Sequence, residues 1–235
     1  MATATREAVA ATARLLARAG LVEAFGHVSA RAGDGFLLTA TTPLGAAAGA
    51  EVHAVDAAGA APDGATAVPL EAPLHASVYA ARADIGAICR THSPAAVVWG
   101  TRATSPPLLH GLGAIAGAVN RCPRSDLVAD TAAGEEVAAA LGDASCLILR
   151  ANGSLATGTD LAQAAVRAWY LEERCRVALE AGEKGQEMSG EELGDRLRWT
   201  ATEEERASRW LVWRFGDHGG RRATDWQGKQ EEPET

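Results

Sequence analysis

The feature that most constrains the fold is the alternation of two hydrophobic periods along one chain of 235 residues. Apolar residues at helical spacing run through 3–19, and Gly20 follows as a stop signal. Short apolar runs of β type occur at 85–91 and 146–150, each next to turn residues. Strands that alternate with helices are typical of layered α/β domains. The length suits one large domain of this class.

The remaining segments extend the same pattern. The run 21–40 is predicted as strand, turn and strand around Gly33-Asp34-Gly35, and 51–55 as a short strand. Further helices are predicted, at 71–82, around 97–99, at 135–141 and from the N-cap residue Asp160 to 181.

Composition and charge exclude several functions. The net charge of −8 comes from 22 basic against 30 acidic residues, so the basic surface expected of a nucleic-acid-binding domain is missing. No uncharged apolar stretch reaches the roughly 20 residues of a membrane span, and the N-terminal segment carries charges where a signal peptide is apolar. The four cysteines (Cys89, Cys122, Cys146 and Cys175) have no metal-site spacing, so we expect reduced core thiols in a cytoplasmic protein.

Two short segments combine acid, base and cation. The chain has no Walker A loop, no GxGxxG after a strand and no GxSxG elbow. It does contain EAPLH at 71–75 and RTHSP at 90–94. Glu71 and His75 are four residues apart and share one helical face, an arrangement that is more often a solvated surface.

Arg90 and His92 end an apolar strand. Residues two apart on a strand point to the same face, with Thr91 opposite. The carboxyl end of a buried strand is a common position for a site in α/β proteins. The pair therefore indicates a candidate site; the alternative is a rim histidine that only hydrogen-bonds to a loop.

Four blocks of sequence together resemble the class II aldolase/adducin family. They are GLVEAFGHVSAR (20–31), FLLTATTPLG (36–45), LEAPLHASVYAARADIGAICRTHSPAA (70–96) and LILRANGSLATGTDLAQA (147–164), in the family's order. That family includes sugar-phosphate aldolases, ribulose-phosphate epimerases and metal-dependent decarboxylases of hydroxylated aromatic acids. The resemblance implies a three-layer α/β/α sandwich with a central mixed, largely antiparallel sheet over residues 1–181. It also implies a homotetramer with sites at subunit interfaces.

The family's metal site is altered in this chain. Members bind a divalent metal, commonly zinc, through three histidines, and the matching positions here hold Arg90, His92 and Asn152. Arginine keeps its proton and has no lone pair to give a metal, whereas a catalytic zinc takes about three protein ligands. We therefore expect no cofactor. A zinc or manganese ion would need His92 together with other histidines.

A metal-free site would use the replacements themselves. Arg90 can offer a charge and two planar donors to a carboxylate or oxyanion, and Asn152 adds a neutral donor. Glu71 matches the family's acidic residue, and beside Arg90 the two would hold each other ionised. His92, with an unperturbed pKa of about 6.5, is then the predicted proton-transfer residue.

The family's phosphate-binding residues are replaced as well. An asparagine and two serines of the phosphate-using members are matched by His27, Pro69 and Leu70. This indicates a non-phosphorylated substrate that carries a carboxylate and is partly apolar or aromatic. The residues predicted to line its pocket are His27, Ser29, Thr42, His110, Trp210 and Trp213.

The predicted function is that of a carbon–carbon lyase, a decarboxylase or retro-aldolase that works through an enolate-like intermediate on a small molecule. One alternative is a metal-free isomerase, dehydratase or cyclase; another is a non-catalytic binding or assembly module like the adducin head. Residues 182–220 are predicted as a helical, Trp-rich tail that packs on the domain or on a neighbouring subunit. Residues 221–235 are predicted to be disordered.

Overall fold

A seven-stranded sheet lies at the centre of the computed structural model, which describes residues 4–61 and 67–217. The strand order is β3-β2-β1-β4-β7-β6-β5, and all neighbours are antiparallel except β5 and β6, which are parallel. The strands are β1 (His27–Ala32), β2 (Gly35–Leu38), β3 (His53–Val55), β4 (Ala87–Thr91), β5 (Val119–Cys122), β6 (Cys146–Leu149) and β7 (Ser154–Gly158). The predicted tail at 221–235 lies outside the described residues.

Helices cover both faces of the sheet. They are α1 (Arg6–Arg18), α2 (Ala72–Ala81), α3 (Pro94–Gly100), α4 (Thr131–Leu141), α5 (Leu161–Ala181), α6 (Gly190–Leu197) and α7 (Thr200–Phe215). Helices α1, α3, α5 and α7 share one apolar core with the sheet, while α2 and α4 share a second core on the opposite face. The predicted three-layer α/β/α architecture, with a mixed and mostly antiparallel sheet, is therefore confirmed.

Side-chain alternation divides each central strand between these two cores. Along β4, Cys89 packs towards the face covered by α5, which we call the α5 face, and Ile88 packs towards the face covered by α2, the α2 face. Arg90 is the next residue on the α2 face because side chains alternate along a strand. The antiparallel register places His27 and Leu155 directly opposite Arg90, one on each neighbouring strand. Side chains of directly opposed residues share a face.

Helix starts follow the capping residues of the sequence. The side chains of Thr5, Asp130 and Asp160 each accept a hydrogen bond from the backbone N–H three residues further on, at the starts of α1, α4 and α5. Helix α4 therefore begins at Thr131, one turn before the predicted start at 135.

Two local predictions differ from the structure. Residues 21–26 form a loop instead of a strand, since Gly20 and Gly26 adopt positive φ angles at its two ends. Strands β5 and β7 lie in segments that were assigned no strand. Helices α6 and α7 lie within 182–220, the segment predicted as a helical tail.

Two predictions from composition can be compared with the structure. All four cysteines are buried and free of disulfides, as expected of core thiols. Within 4–61 and 67–217, none of the helices combines the length and apolar character needed to cross a bilayer.

Candidate active site

Arg90 is the central residue of the candidate site. Its side chain is fully buried on the α2 face of the middle strand β4, and Nη1 donates to the Thr91 carbonyl oxygen at 3.0 Å. Gly153 makes room for it: this glycine has a φ of +75°, and a Cβ there would lie 2.9 Å from Nη1 and overlap the Thr91 carbonyl. The Asn-Gly turn before β7 thus creates the space for the guanidinium.

Glu71 forms a buried ion pair with Arg90. It is the N-cap residue of α2, and its Oε2 lies 3.2 Å from Arg90 Nε. Its Oε1 accepts a hydrogen bond of 3.3 Å from the backbone N–H of Val128. Burial lowers the pKa of Arg90 and the charge of Glu71 opposes this. A guanidinium stays protonated in proteins, and the structure brings Arg90 and Glu71 together as a buried ion pair.

His92 and Asn152 close one side of this pair. His92 Nε2 lies 3.3 Å from Asn152 Oδ1, and Asn152 Nδ2 donates to the Asp126 carbonyl oxygen at 3.4 Å. The pKa of His92 is lowered, mainly by burial and then by the charge of Arg90. The four predicted catalytic residues therefore come together at the carboxyl end of β4.

Two more histidines lie on the other side of Glu71. His27 Nδ1 is 3.9 Å from Glu71 Oε2, and the His27 and His75 rings are 5.7 Å apart between centroids. Burial above all lowers the pKa of each imidazole to about 3, so both are neutral at pH 7. The structure thus places His27 in the site, next to Glu71.

A buried hydrogen-bond chain lies beneath these rings. Ser29 Oγ is 2.8 Å from His75 Nδ1 and 2.8 Å from Tyr79 Oη, and all three residues are buried. The hydroxyl of Ser29 therefore supports His75 instead of facing the opening of the site. His75 and Tyr79 were not among the predicted site residues; the signal for them was the i, i+4, i+8 spacing of Glu71, His75 and Tyr79.

Several buried polar atoms of the site have no hydrogen-bond partner in the described structure. They are His27 Nδ1, His75 Nε2, Arg90 Nη2 and His92 Nδ1, whereas Arg90 Nε is 3.2 Å from the Glu71 carboxylate. More than nine-tenths of buried polar groups in proteins are paired, and an unpaired one costs about 1–3 kcal/mol. Four such atoms in one cluster of side chains indicate a site built for a polar ligand.

The other predicted pocket residues contact different parts of the subunit. Thr42 donates to Glu51, and His110 lies near Glu173 and Arg174 of α5. Trp210 packs on Trp169 and Phe215, and Trp213 is partly exposed on α7. None of these contacts joins the four residues to Arg90 or Glu71. In this subunit, the predicted tail packs on its own domain through α5.

The donor set does not fit the metal of the resembled family. Arg90 occupies the first ligand position and offers no lone pair, and the amide of Asn152 occupies the third. Across 4–61 and 67–217, no three His, Cys, Asp or Glu side chains are grouped to hold a metal ion. The guanidinium also places a positive charge where a cation would bind.

The sheet and its site define a class of protein, an α/β/α sandwich with acid, base and cation at the end of its central strand. Residues 7–179 match the family model described as the Class II Aldolase and Adducin N-terminal domain, and the chain belongs to this family. The resemblance seen in the sequence is thereby confirmed.

Relatives and solved structures support the same assignment. The chain is 32% identical over 200 residues to a "3,4-dihydroxyphthalate decarboxylase" of Terrabacter sp. (strain DBF63), covering 77% of this chain and 83% of the relative. It is 28% identical over 197 residues to the decarboxylase of that name from Arthrobacter keyseri, covering 77% and 79%. The fold matches that of an aldolase II superfamily protein from Pseudomonas syringae with a TM-score of 0.74, at 23% identity over 88% of this chain and 92% of that one.

Proposed function

We propose that this protein is a carbon–carbon lyase that decarboxylates a hydroxylated aromatic carboxylate without a metal. The observation that carries the proposal is the fully buried Arg90, which is paired with Glu71 through Nε and keeps Nη2 free of hydrogen bonds. A retro-aldol cleavage through the same enolate-like intermediate is the second candidate. The family and the names of two decarboxylase relatives favour decarboxylation.

Arg90 binds the anion in this proposal. Its free Nη2 group suits a carboxylate or the oxyanion of an enolate, because charged planar donors form short and strong hydrogen bonds to such oxygens. Burial excludes water and strengthens this interaction as charge develops on the substrate. Asn152 and His92 lie on one wall, and Glu71 holds the guanidinium in place.

Apolar side chains beside the site suit an aromatic ring. Phe25, Leu70 and Leu127 are 76%, 72% and 52% exposed, and each is within two residues of a site residue or of a backbone group that contacts one. Exposed apolar side chains that gather near a polar site indicate a binding surface. Ser29, whose hydroxyl was predicted to line the pocket, is held by His75 and Tyr79 and is not available to a phosphate.

The test is direct turnover. Purified protein is incubated with 3,4-dihydroxyphthalate, and release of carbon dioxide and of a dihydroxybenzoate is measured. Arg90→Lys keeps the charge but loses the planar fork, and is expected to lower kcat/KM by at least about 100-fold. His53→Gln, in the edge strand β3, is the matched control. Absence of carbon dioxide release from this compound and from a panel of hydroxylated benzoates would rule out the proposed reaction.

The metal-free aspect has a test of its own. Elemental mass spectrometry is expected to find substoichiometric zinc and manganese, and calorimetry no binding of either added ion. The double variant Arg90→His, Asn152→His restores the family's ligand types and is expected to bind zinc. Stoichiometric metal in the unmodified protein would contradict the proposal.

A non-catalytic assembly module is the alternative from a different class. The cluster of unpaired buried atoms favours an enzyme, because a scaffold gains nothing from them. We also propose a homotetramer with sites at subunit interfaces, as the family resemblance implies. Light scattering of the full chain tests this, and a monomer at working concentrations would exclude it.

A further inference from the structure

The site contains three histidines, and they differ in which ring nitrogen is free. His75 is completely buried and its Nδ1 is engaged at 2.8 Å by Ser29 Oγ. His92 has Nε2 against Asn152, and its Nδ1 is buried. In both rings the nitrogen without a hydrogen-bond partner, His75 Nε2 and His92 Nδ1, is therefore a buried one.

His27 has the arrangement that the other two lack. Its Nδ1 is buried and directed at Glu71, 3.9 Å from Oε2, while the side chain remains partly exposed. Its Nε2 hydrogen-bonds to no residue in 4–61 or 67–217 and is the nitrogen left for a substrate. A carboxylate behind one nitrogen and substrate at the other is the arrangement of an acid–base histidine, since the carboxylate stabilises the imidazolium.

The β-sheet fixes this position. His27 and Arg90 are directly paired residues of antiparallel strands, so their side chains lie side by side on the α2 face. An anion held by Arg90 is therefore next to the His27 ring. Glu71 contacts both, at 3.2 Å from Arg90 Nε and 3.9 Å from His27 Nδ1.

We propose that His27, backed by Glu71, is the catalytic acid that protonates the substrate carbon, in place of His92. This rests on the proposed function. The bond between the ring carbon and the carboxylate breaks, and its electron pair stays on that carbon. The carbon takes the proton from His27 Nε2, carbon dioxide leaves, and neutral His27 regains a proton from solvent.

Because of the charges around His27, we expect its imidazole to take up a proton when the anionic substrate binds. The groups facing it are Arg90 and His92 from the β4 end, and Glu71 and His75 from α2. The opposite charges of Arg90 and Glu71 cancel, and the imidazoles are neutral. A bound dianion therefore adds negative charge that no nearby cation compensates. Burial and the His75 ring lower the pKa of His27 in the free protein, whereas a neighbouring anion raises it.

The experiment measures proton uptake with phthalate, an unreactive dianion. Calorimetric titrations in phosphate and Tris buffers, which differ in ionisation enthalpy, give the number of protons bound per ligand. We expect uptake of about one proton at neutral pH, and an affinity that falls by up to about tenfold per unit as pH rises. His27→Gln should abolish the uptake. His92→Gln and the control His53→Gln should keep it.

A second measurement does not depend on a variant. In NMR spectra of the unmodified protein with ring-labelled histidine, the His27 signal should titrate near neutral pH when phthalate is bound and stay neutral without it. Circular dichroism checks that His27→Gln is folded.

The outcomes separate this inference from the proposed function. Phthalate binding without proton uptake, or with uptake unchanged in His27→Gln, overturns the role of His27 and leaves decarboxylation standing. Binding and uptake at His27 without carbon dioxide release from any substrate overturns the reaction. Failure to bind phthalate overturns both.

Discussion

The two faces of the central sheet are built from the same strands but in different ways. The α5 face is apolar except for the hydrogen-bonded pair Thr91 and Ser154 at its end, and three of the four cysteines pack there as small apolar side chains. The α2 face begins in the same manner with Leu38, Ile88 and Leu147. It then changes, at the carboxyl end of β4, into a buried cluster of charge and imidazole.

This difference separates stability from function. An apolar face stabilises the fold through burial alone, at about 25 cal/mol per Å² of apolar surface. A buried ion pair and unpaired imidazole nitrogens contribute little or oppose folding. Their presence on one face only indicates that the α5 face holds the sheet together while the end of the α2 face is reserved for a ligand.

The largest expected effect comes from removing the cation of the α2 face. Arg90→Met leaves Glu71 buried without its partner and should lower the free energy of unfolding by about 3–5 kcal/mol. Adding Glu71→Gln to the same chain should recover most of this loss, since a neutral amide replaces the stranded carboxylate. Urea denaturation of both single variants and the double variant measures the coupling. Purely additive losses would show that the pair is not an energetic unit.

The second expected effect concerns the support beneath the imidazoles. Ser29→Ala removes the only hydroxyl between His75 Nδ1 and Tyr79 Oη, and should cost about 1–3 kcal/mol by leaving both groups buried and unpaired. Ser77→Ala, at a buried serine of α2, is the matched control with an expected change within about 0.5 kcal/mol. Equal stability losses for the two substitutions in thermal denaturation would show that the hydrogen bonds of Ser29 to His75 and Tyr79 do not stabilise the fold.

Much of the fold could be predicted because its signals are local. The helical stripe of α1, the Asp160 cap of α5 and the apolar runs of β4 and β6 each lie within one segment. Strand β7 could not be found in this way: SLATG has one large apolar residue, and its place between β4 and β6 depends on tertiary pairing. Strand β5, VNRC, is short, and its parallel partner β6 lies far along the chain.

The site shows the same division. Glu71, Arg90, His92 and Asn152 were predicted from family positions, and the structure brings them together. The relation of His27 to Glu71 was missed, because it arises from the register of β1 against β4 and from the approach of α2. From the sequence, Ser29 was predicted to bind a ligand through its hydroxyl. In the structure this hydroxyl contacts His75 and Tyr79, which lie 46 and 50 residues further along the chain on a helix.

A third and smaller effect tests the α5 face. Ile148→Val trims one methylene group on β6 and should lower stability by about 0.5–1.5 kcal/mol. Phthalate affinity should stay unchanged, because Ile148 points away from Arg90. Leu147 is its neighbour on the other face, so Leu147→Ile is the companion variant. A changed phthalate affinity in Ile148→Val would show that the two faces are not separated as we infer.

The smallest expected effect tests whether the large stability loss on replacing Arg90 comes from its burial or from its charge alone. Arg209 and Glu205 form an ion pair one turn apart on α7, with both side chains mostly exposed. Water and salt screen such a pair, and ordering two long side chains offsets its attraction, so i, i+4 pairs contribute only about 0.3–0.5 kcal/mol. Arg209→Met should therefore lower stability by about a tenth of the Arg90→Met effect when the midpoints of the two ranges are compared, and this loss should vanish in high salt. Urea denaturation at low and high salt compares the two substitutions directly. A large loss at Arg209 would mean that removal of an arginine charge as such, and not its burial on the α2 face, explains the first prediction.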